Sequence, residues 1–106
     1  MLIRREQADD HHAIHRLTTD AFAGQSYSDG TEPAIVDGLR AAGDLTLSLV
    51  AVKNDAVVGH VAFSPVRIGE SNSDWYGLGP ISVKPDLQRN GIGSALIIEG
   101  LRLLED

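Results

Sequence analysis

The chain predicts an α/β domain of element order β-α-α-β-β-β-α, and three observations carry that prediction. Leu45, Leu47, Leu49 and Ala51 fall on every second residue, the period of a strand. Ile14, Leu17, Ala21 and Phe22 recur at helical spacing, and Ile35, Val36 and Leu39 supply the apolar positions of a second helix. A glycine-rich turn, Gln88-Arg89-Asn90-Gly91-Ile92-Gly93, joins a strand-like stretch at 78–83 to a helix-like stretch at 92–104.

Taken in order, residues 2–5 read as a short strand. Asp9 or Asp10 can cap a helix that runs to about Phe22. Residues 24–32 are rich in Gly, Ser and Asp and read as a loop. Thr31 can cap the second helix, with Pro33 in its first turn and Gly43 as its stop. Residues 45–53 form a strand, and Asn54-Asp55 turns it into a partner at 57–66, making a hairpin. A polar loop at 69–74 leads to a strand at 75–83 that is interrupted at Gly79-Pro80. Proline cannot donate to a sheet ladder, and glycine inside a strand often marks a bulge. Ile81-Ser82-Val83 then resumes strand character, so the interruption reads as a bulge; the competing reading is a strand that ends early.

Composition narrows the function. At 106 residues one domain, 1–106, is expected, able to bury about two-thirds of its unfolded surface. A net charge of −6 argues against broad binding to nucleic acid or an anionic membrane, although a local patch around Arg89 can still hold phosphates. The chain has no cysteine, hence no disulfide framework and no thiol nucleophile, which fits a cytoplasmic protein. No apolar run approaches the ~20 residues of a membrane helix.

The glycine turn carries the chemistry. Backbone N–H groups at a helix start have no intrahelical partner, and the positive end of the helix dipole adds to their pull on phosphate oxygens. Glycine there lets a ligand approach where a Cβ would block it. A P-loop requires Gly-Lys-Ser/Thr, and no Lys follows Gly91 or Gly93. A dinucleotide fingerprint needs a third glycine where Leu96 stands, and an acid about 20 residues further on. The Q/R-x-x-G-x-G/A turn of acetyl-coenzyme A-dependent acyltransferases matches at Gln88, Gly91 and Gly93. A glycine-rich helix start with no ligand is the plain alternative.

The longer run GLGPISVKPDLQRNGIGSALI, residues 77–97, resembles the core motif of the GNAT-type N-acetyltransferase superfamily. The opening MLIRREQADDHHAIHRL resembles that family's first strand and helix, and GHVAFSPV its third strand. The likeness is strongest to small bacterial members that are largely uncharacterised. It implies a mixed sheet flanked by helices, in which a bulge splays the 75–83 strand from the next and the coenzyme's pantetheine arm lies in the gap. It implies that acetyl-CoA, as cosubstrate and without a metal, is held by the main chain of Ile81 and Val83 and by Gln88, Arg89, Asn90, Gly91, Ile92, Gly93 and Ser94. Pantetheine amides can pair along a strand edge as a surrogate strand. The backbone N–H of Ile81 would polarise the thioester carbonyl, the one catalytic assignment the resemblance offers.

The match weakens at the acid and base. Several members carry a glutamate four positions before Ile81, where this chain has Gly77. Asp74 would lie about 10 Å along the strand from Gly77. The frequent tyrosine acid of the family belongs to a helix beyond Asp106, and Tyr27 and Tyr76 are not its equivalents by position. The domain is therefore expected to be truncated after the coenzyme-binding helix, without the family's C-terminal half. The 75–83 strand would then be a sheet edge, the helix face bearing Ala95, Leu96 and Leu103 would lack cover, and self-association through that edge is expected.

Histidines give two side readings. His11 and His15 stand at i and i+4 and could face one metal, but no third ligand is in view, and a solvated rim is the plainer reading. His60 is either a base or a hydrogen-bonded strand histidine. The activity implied is acetyl transfer from acetyl-CoA to a primary amine of a small molecule or peptide. The alternative is a shortened domain that binds coenzyme A or a partner chain without turnover.

Overall fold

The computed structural model of the chain describes residues 1–23, 30–66 and 75–105. The expected loops at 24–32 and 69–74 fall largely or wholly outside them, as do Tyr27 and Asp74. The elements run β1 (Leu2–Arg5), α1 (His11–Phe22), α2 (Glu32–Ala42), β2 (Leu47–Lys53), β3 (Ala56–Val66), β4 (Trp75–Val83) and α3 (Ile92–Glu105), the order the sequence predicts. Single turns of 3₁₀ helix precede α1 (Ala8–Asp10) and follow β4 (Pro85–Leu87). None of the described helices is long and apolar enough to cross a membrane.

The four strands lie in the order β1-β2-β3-β4, each antiparallel to its neighbour. The parallel pair that a mixed sheet requires is not among these four strands. β2 starts at Leu47 rather than Leu45; just before it, Thr46 N donates to Phe63 O at 2.9 Å at the hairpin's open end. Asn54 and Asp55 both take positive φ, 52° and 63°, the two-residue turn that matches strand twist.

Helices cover both faces. Leu47, Leu49 and Ala51 of β2 and Val61 and Phe63 of β3 pack with Ile92 and Leu96 of α3. On the other face Val50 meets Ile14 of α1 and Val36 of α2. With both sides covered, β2 reads 49–51 as an unbroken apolar run inside the alternation. Two glycines make the α3 contact possible. A Cβ on Gly59 would lie 2.8 Å from Ile92 Cγ2, and one on Gly100 would lie 2.3 Å from Phe63 Cε2.

Two sequence expectations change here. Asp10 holds the cap position of α1, but its carboxylate does not bond the helix. It accepts from Gln7 N–H at 2.7 Å and from Arg4 at 2.7 Å, so it fixes β1 to the turn instead. On α3, Leu96 is fully buried and Leu103 packs against the core; the side chains left bare are Ile98 and Leu101. The helix is rotated so that Gly100, not a larger residue, faces the Phe63 ring.

Candidate functional site

The site is built where β4, α3 and the end of α1 converge. Lys84 N donates to Val58 O at 2.9 Å, which makes Lys84 and Val58 a hydrogen-bonded pair of the antiparallel ladder. Alternation makes His60 and Ser82 the next such pair. The pairs between them, Gly59 with Val83 and Val61 with Ile81, therefore turn their backbone N–H and C=O groups away from each other. Since β4 is the edge strand, those groups of Ile81 and Val83 face the open side. Gln88 Nε2 donates to Val83 O at 3.1 Å and so ties the following turn to this edge.

The register between β3 and β4 slips between Val61 and Phe63: Ile81 pairs with Val61, but Leu78 pairs with Phe63. Gly79 and Pro80 occupy the slip, joined by a cis peptide bond, with Gly79 at φ 138°. The bulge reading of the sequence holds, and β4 continues through it.

After β4 the chain makes one 3₁₀ turn, and Arg89 (φ 69°) and Gly91 (φ 82°) take left-handed conformations. The helical ladder of α3 opens with Ala95 N donating to Gly91 O at 3.0 Å. The N–H groups of Ile92, Gly93 and Ser94 thus precede the helical ladder. Ile92 sends its side chain into the core under Gly59, which clamps the helix start to the sheet.

These elements enclose an open cleft of about 330 Å³. It brings together Ile81, Val83, Gln88, Arg89, Gly91, Gly93 and Ser94 of the predicted set. Asn90 and Ile92 do not line it. Ala21 and Phe22 of α1 also line it. In the sequence they are apolar helix positions, and nothing local to them signals a cleft. Gly93 needs neither left-handed backbone nor extra room for the fold, since a Cβ there would meet Ile81 and Val83 only at 3.8 and 3.9 Å. Its bare Cα opens on the cleft.

The remaining polar candidates lie elsewhere. Gly77 of β4 pairs with Ser64 of β3, and Tyr76 is exposed. His11 Nε2 faces Glu6 at 3.0 Å and His15 Nδ1 faces Asp37 at 3.0 Å, so the two histidines turn to different carboxylates. Among the described residues no group of three or more His, Asp or Glu could hold a metal. Arg40 clasps Glu6 through Nε (3.1 Å) and NH2 (2.8 Å). Burial pushes the Glu6 carboxyl up, but the hydrogen bonds from Arg40 and Ser48 outweigh it and hold it below its ordinary value.

His60 is fully buried and its Nε2 lies 2.7 Å from Ser48 Oγ. Ser48 Oγ donates its single proton to Glu6. A carboxylate only accepts, so Ser48 must accept from His60, which fixes the Nε2–H tautomer. His60 Nδ1 is left without a partner. Burial drives the ring's pKa down to about 4, so it is neutral at pH 7. Of the two readings of His60, the hydrogen-bonded strand histidine is the observed one. Glu6, Arg40 and Ser48 also line a second cleft of about 270 Å³ at the β1 side, with Arg5 and Gly43.

The sequence profile of the acetyltransferase (GNAT) family matches residues 7–106. The chain belongs to the GNAT acetyltransferase family. It is 36% identical, over its whole length, to the uncharacterised N-acetyltransferase YhbS of Escherichia coli K12, and spans 61% of that protein. A solved GNAT family acetyltransferase from Brucella melitensis, in complex with acetyl-CoA, superposes with a TM-score of 0.95 at 52% identity, over 98% of this chain and 68% of its own. The crystal structure of Escherichia coli YhbS with CoA gives a TM-score of 0.87 at 36% identity, over 97% of this chain and 55% of its own.

Proposed function

We propose that this GNAT domain holds acetyl-CoA in the cleft between β4, α3 and the end of α1, and serves acetyl transfer to a primary amine of a small molecule or peptide. One observation carries the reading: an open strand edge and a glycine-rich helix start, both with backbone donors free of the fold, face the same cleft. Pantetheine amides fit the outward groups of Ile81 and Val83 as a surrogate strand would. The pyrophosphate fits the N–H groups of 91–94 with the α3 dipole behind them and Arg89 beside them. The two GNAT relatives solved with acetyl-CoA and CoA support the choice of ligand.

The acetyl thioester supplies the acyl group. The Ile81 N–H, directed outward just past the bulge, is placed to donate to the carbonyl oxygen as negative charge builds on it. The Ala21 and Phe22 wall excludes water from one side. The net charge of −6 favours a cationic acceptor. Its ammonium gives one proton to solvent water, and the neutral nitrogen then attacks. The new C–N bond replaces the C–S bond, and coenzyme A leaves as the thiol, taking up the second proton that the nitrogen loses.

A second reading has its own observation. Apart from Tyr76, no residue of β4 carries an ionisable side chain, so the strand offers no carboxylate base. A coenzyme-binding module without turnover fits that. Titrating acetyl-CoA and then measuring thiol release with a panel of amines separates the two. Binding with amine-dependent release supports the transferase, binding without release supports the module, and no binding defeats both.

A further inference from the structure

Ser82 sits between the two β4 residues whose main chain faces the cleft, yet its own side chain points the other way. Strand alternation sends Ile81 and Val83 toward α3 and Ser82 toward α1. There Ser82 Oγ donates to Thr18 Oγ1 at 3.1 Å, and both residues are fully buried. The bond joins residues far apart in sequence and lies within the stripe of α1, Ile14, Leu17, Thr18 and Ala21, that packs on the sheet.

A polar pair is an unusual choice for that stripe. Two apolar residues of the same shape would dock the helix about as well, since a hydrogen bond adds little net stability when both partners could be replaced together. What a directed bond adds over apolar contact is register: it fixes where along α1 the helix meets β4, not merely how far away it sits. Ala21 and Phe22 stand three and four residues on from Thr18, on the same side of the helix and one turn closer to the cleft. They line the cleft together with Ile81, Val83 and Gly93. The Thr18–Ser82 bond therefore ties the part of α1 next to the cleft to the strand whose main chain faces it.

We propose that Thr18 and Ser82 are a positioning pair that sets the spacing of the coenzyme cleft. Neither lines it. They act through Ala21 and Phe22 on one side and through the main chain of Ile81 and Val83 on the other. With the bond made, the cleft is preorganised and binding orders little; without it, the end of α1 must be ordered when coenzyme binds, and affinity falls by that amount. The proposal rests on the coenzyme reading of the cleft.

The test is calorimetric titration of CoA into the wild-type chain and into Thr18→Val, Ser82→Ala, the double variant and Thr18→Ser, with thermal unfolding of each. Wild-type binding decides the coenzyme reading first: a wild-type chain that binds no CoA overturns that reading and this one together. Given wild-type binding, each bond-breaking single variant is expected to weaken CoA by about fivefold or more, with the double variant no weaker than the singles, as coupled partners behave. Thr18→Ser keeps the acceptor hydroxyl and should keep wild-type affinity. Ser82→Ala removes a single buried oxygen and guards against a Thr18→Val chain that fails to fold. Wild-type CoA affinity in Ser82→Ala, with only its melting temperature lowered, would show a merely structural bond and overturn the proposal. Additive losses in the double variant, or a loss in Thr18→Ser equal to that in Thr18→Val, would overturn it equally.

Discussion

The ring of Phe63 on β3 lies against the bare Cα of Gly100 on α3, so near that a Cβ at Gly100 would sit 2.3 Å from Cε2 and 2.4 Å from Cζ. This contact sets how closely α3, whose start lines the cleft beside β4, approaches the sheet. Gly100→Ala gains helix propensity but must push the ring or the helix aside. Overpacking of this kind costs about 1–3 kcal/mol, more than the ~1 kcal/mol of propensity returned. Chemical denaturation should show a net loss; a more stable Gly100→Ala chain would mean the contact is looser than described.

Gly93, on the same helix, behaves oppositely. Its Cβ would meet nothing closer than 3.8 Å, and its φ is not left-handed. Gly93→Ala should therefore raise stability by about 0.5–1 kcal/mol, the ordinary helical gain over glycine. The same methyl projects into the cleft, so coenzyme affinity should fall. Stability and binding moving in opposite directions is the signature to look for. Gly91→Ala, by contrast, should lower both, because Gly91 holds φ 82°.

Ile81 provides a test of main-chain function. Its N–H faces the open edge, so Ile81→Pro removes no bond to β3 and the sheet should survive. Ile81→Ala keeps the N–H. If the N–H polarises the thioester, acetyl transfer should fall by about 10²–10³ in the proline variant and far less in the alanine variant. Equal rates in the two would remove Ile81 from the mechanism.

Among the described residues, His60, Glu6 and Asp10 weaken the fold as the pH falls. His60 is held neutral, its pKa lowered from 6.5 to about 4 by burial. The unfolded chain binds that proton first, so its contribution is complete above pH 6.5 and is lost as pH falls toward 4. Between pH 6.5 and 5 this amounts to about 2 kcal/mol. Glu6 and Asp10 are depressed carboxylates. Asp10 is held down first by its hydrogen bond from Arg4. Their stabilisation is present above their ordinary values of 4.5 and 3.8 and is lost as pH falls below them. Urea unfolding near pH 7 and near pH 5 should show the loss in the wild type and a much smaller one in His60→Gln, which keeps a donor for Ser48.

Much of this was legible along the chain because it depends on neighbours in sequence. Alternation at 47, 49 and 51, the Asn54-Asp55 turn, Gly43 as helix stop (φ 75°) and the bulge at Gly79-Pro80 are all local chemistry. So is the glycine turn, four of whose six residues line the cleft. What stayed hidden depends on residues distant in sequence. Asp10 turned from capping to Arg4 because a guanidinium on β1 outbids a helix N–H. Ala21 and Phe22 became a cleft wall only through the docking of α1. The rotation of α3, which bares Ile98 and Leu101 and buries Leu96, follows from Phe63. A signal for it existed: a glycine in the middle of an apolar helix, as at Gly100, often marks a close approach.

In the proposed site, main-chain amides of the β4 edge and the α3 start hold the coenzyme, and amide chemical shifts report on such contacts directly. On titrating acetyl-CoA into the ¹⁵N-labelled chain, the amides of Ile81, Val83, Gly91, Gly93 and Ser94 should move most and saturate together. Those of Arg5, Arg40 and Gly43, at the second cleft, should stay in place. Saturating shifts centred on the second cleft, or shifts that leave Ile81 and Gly93 unmoved, would contradict the account.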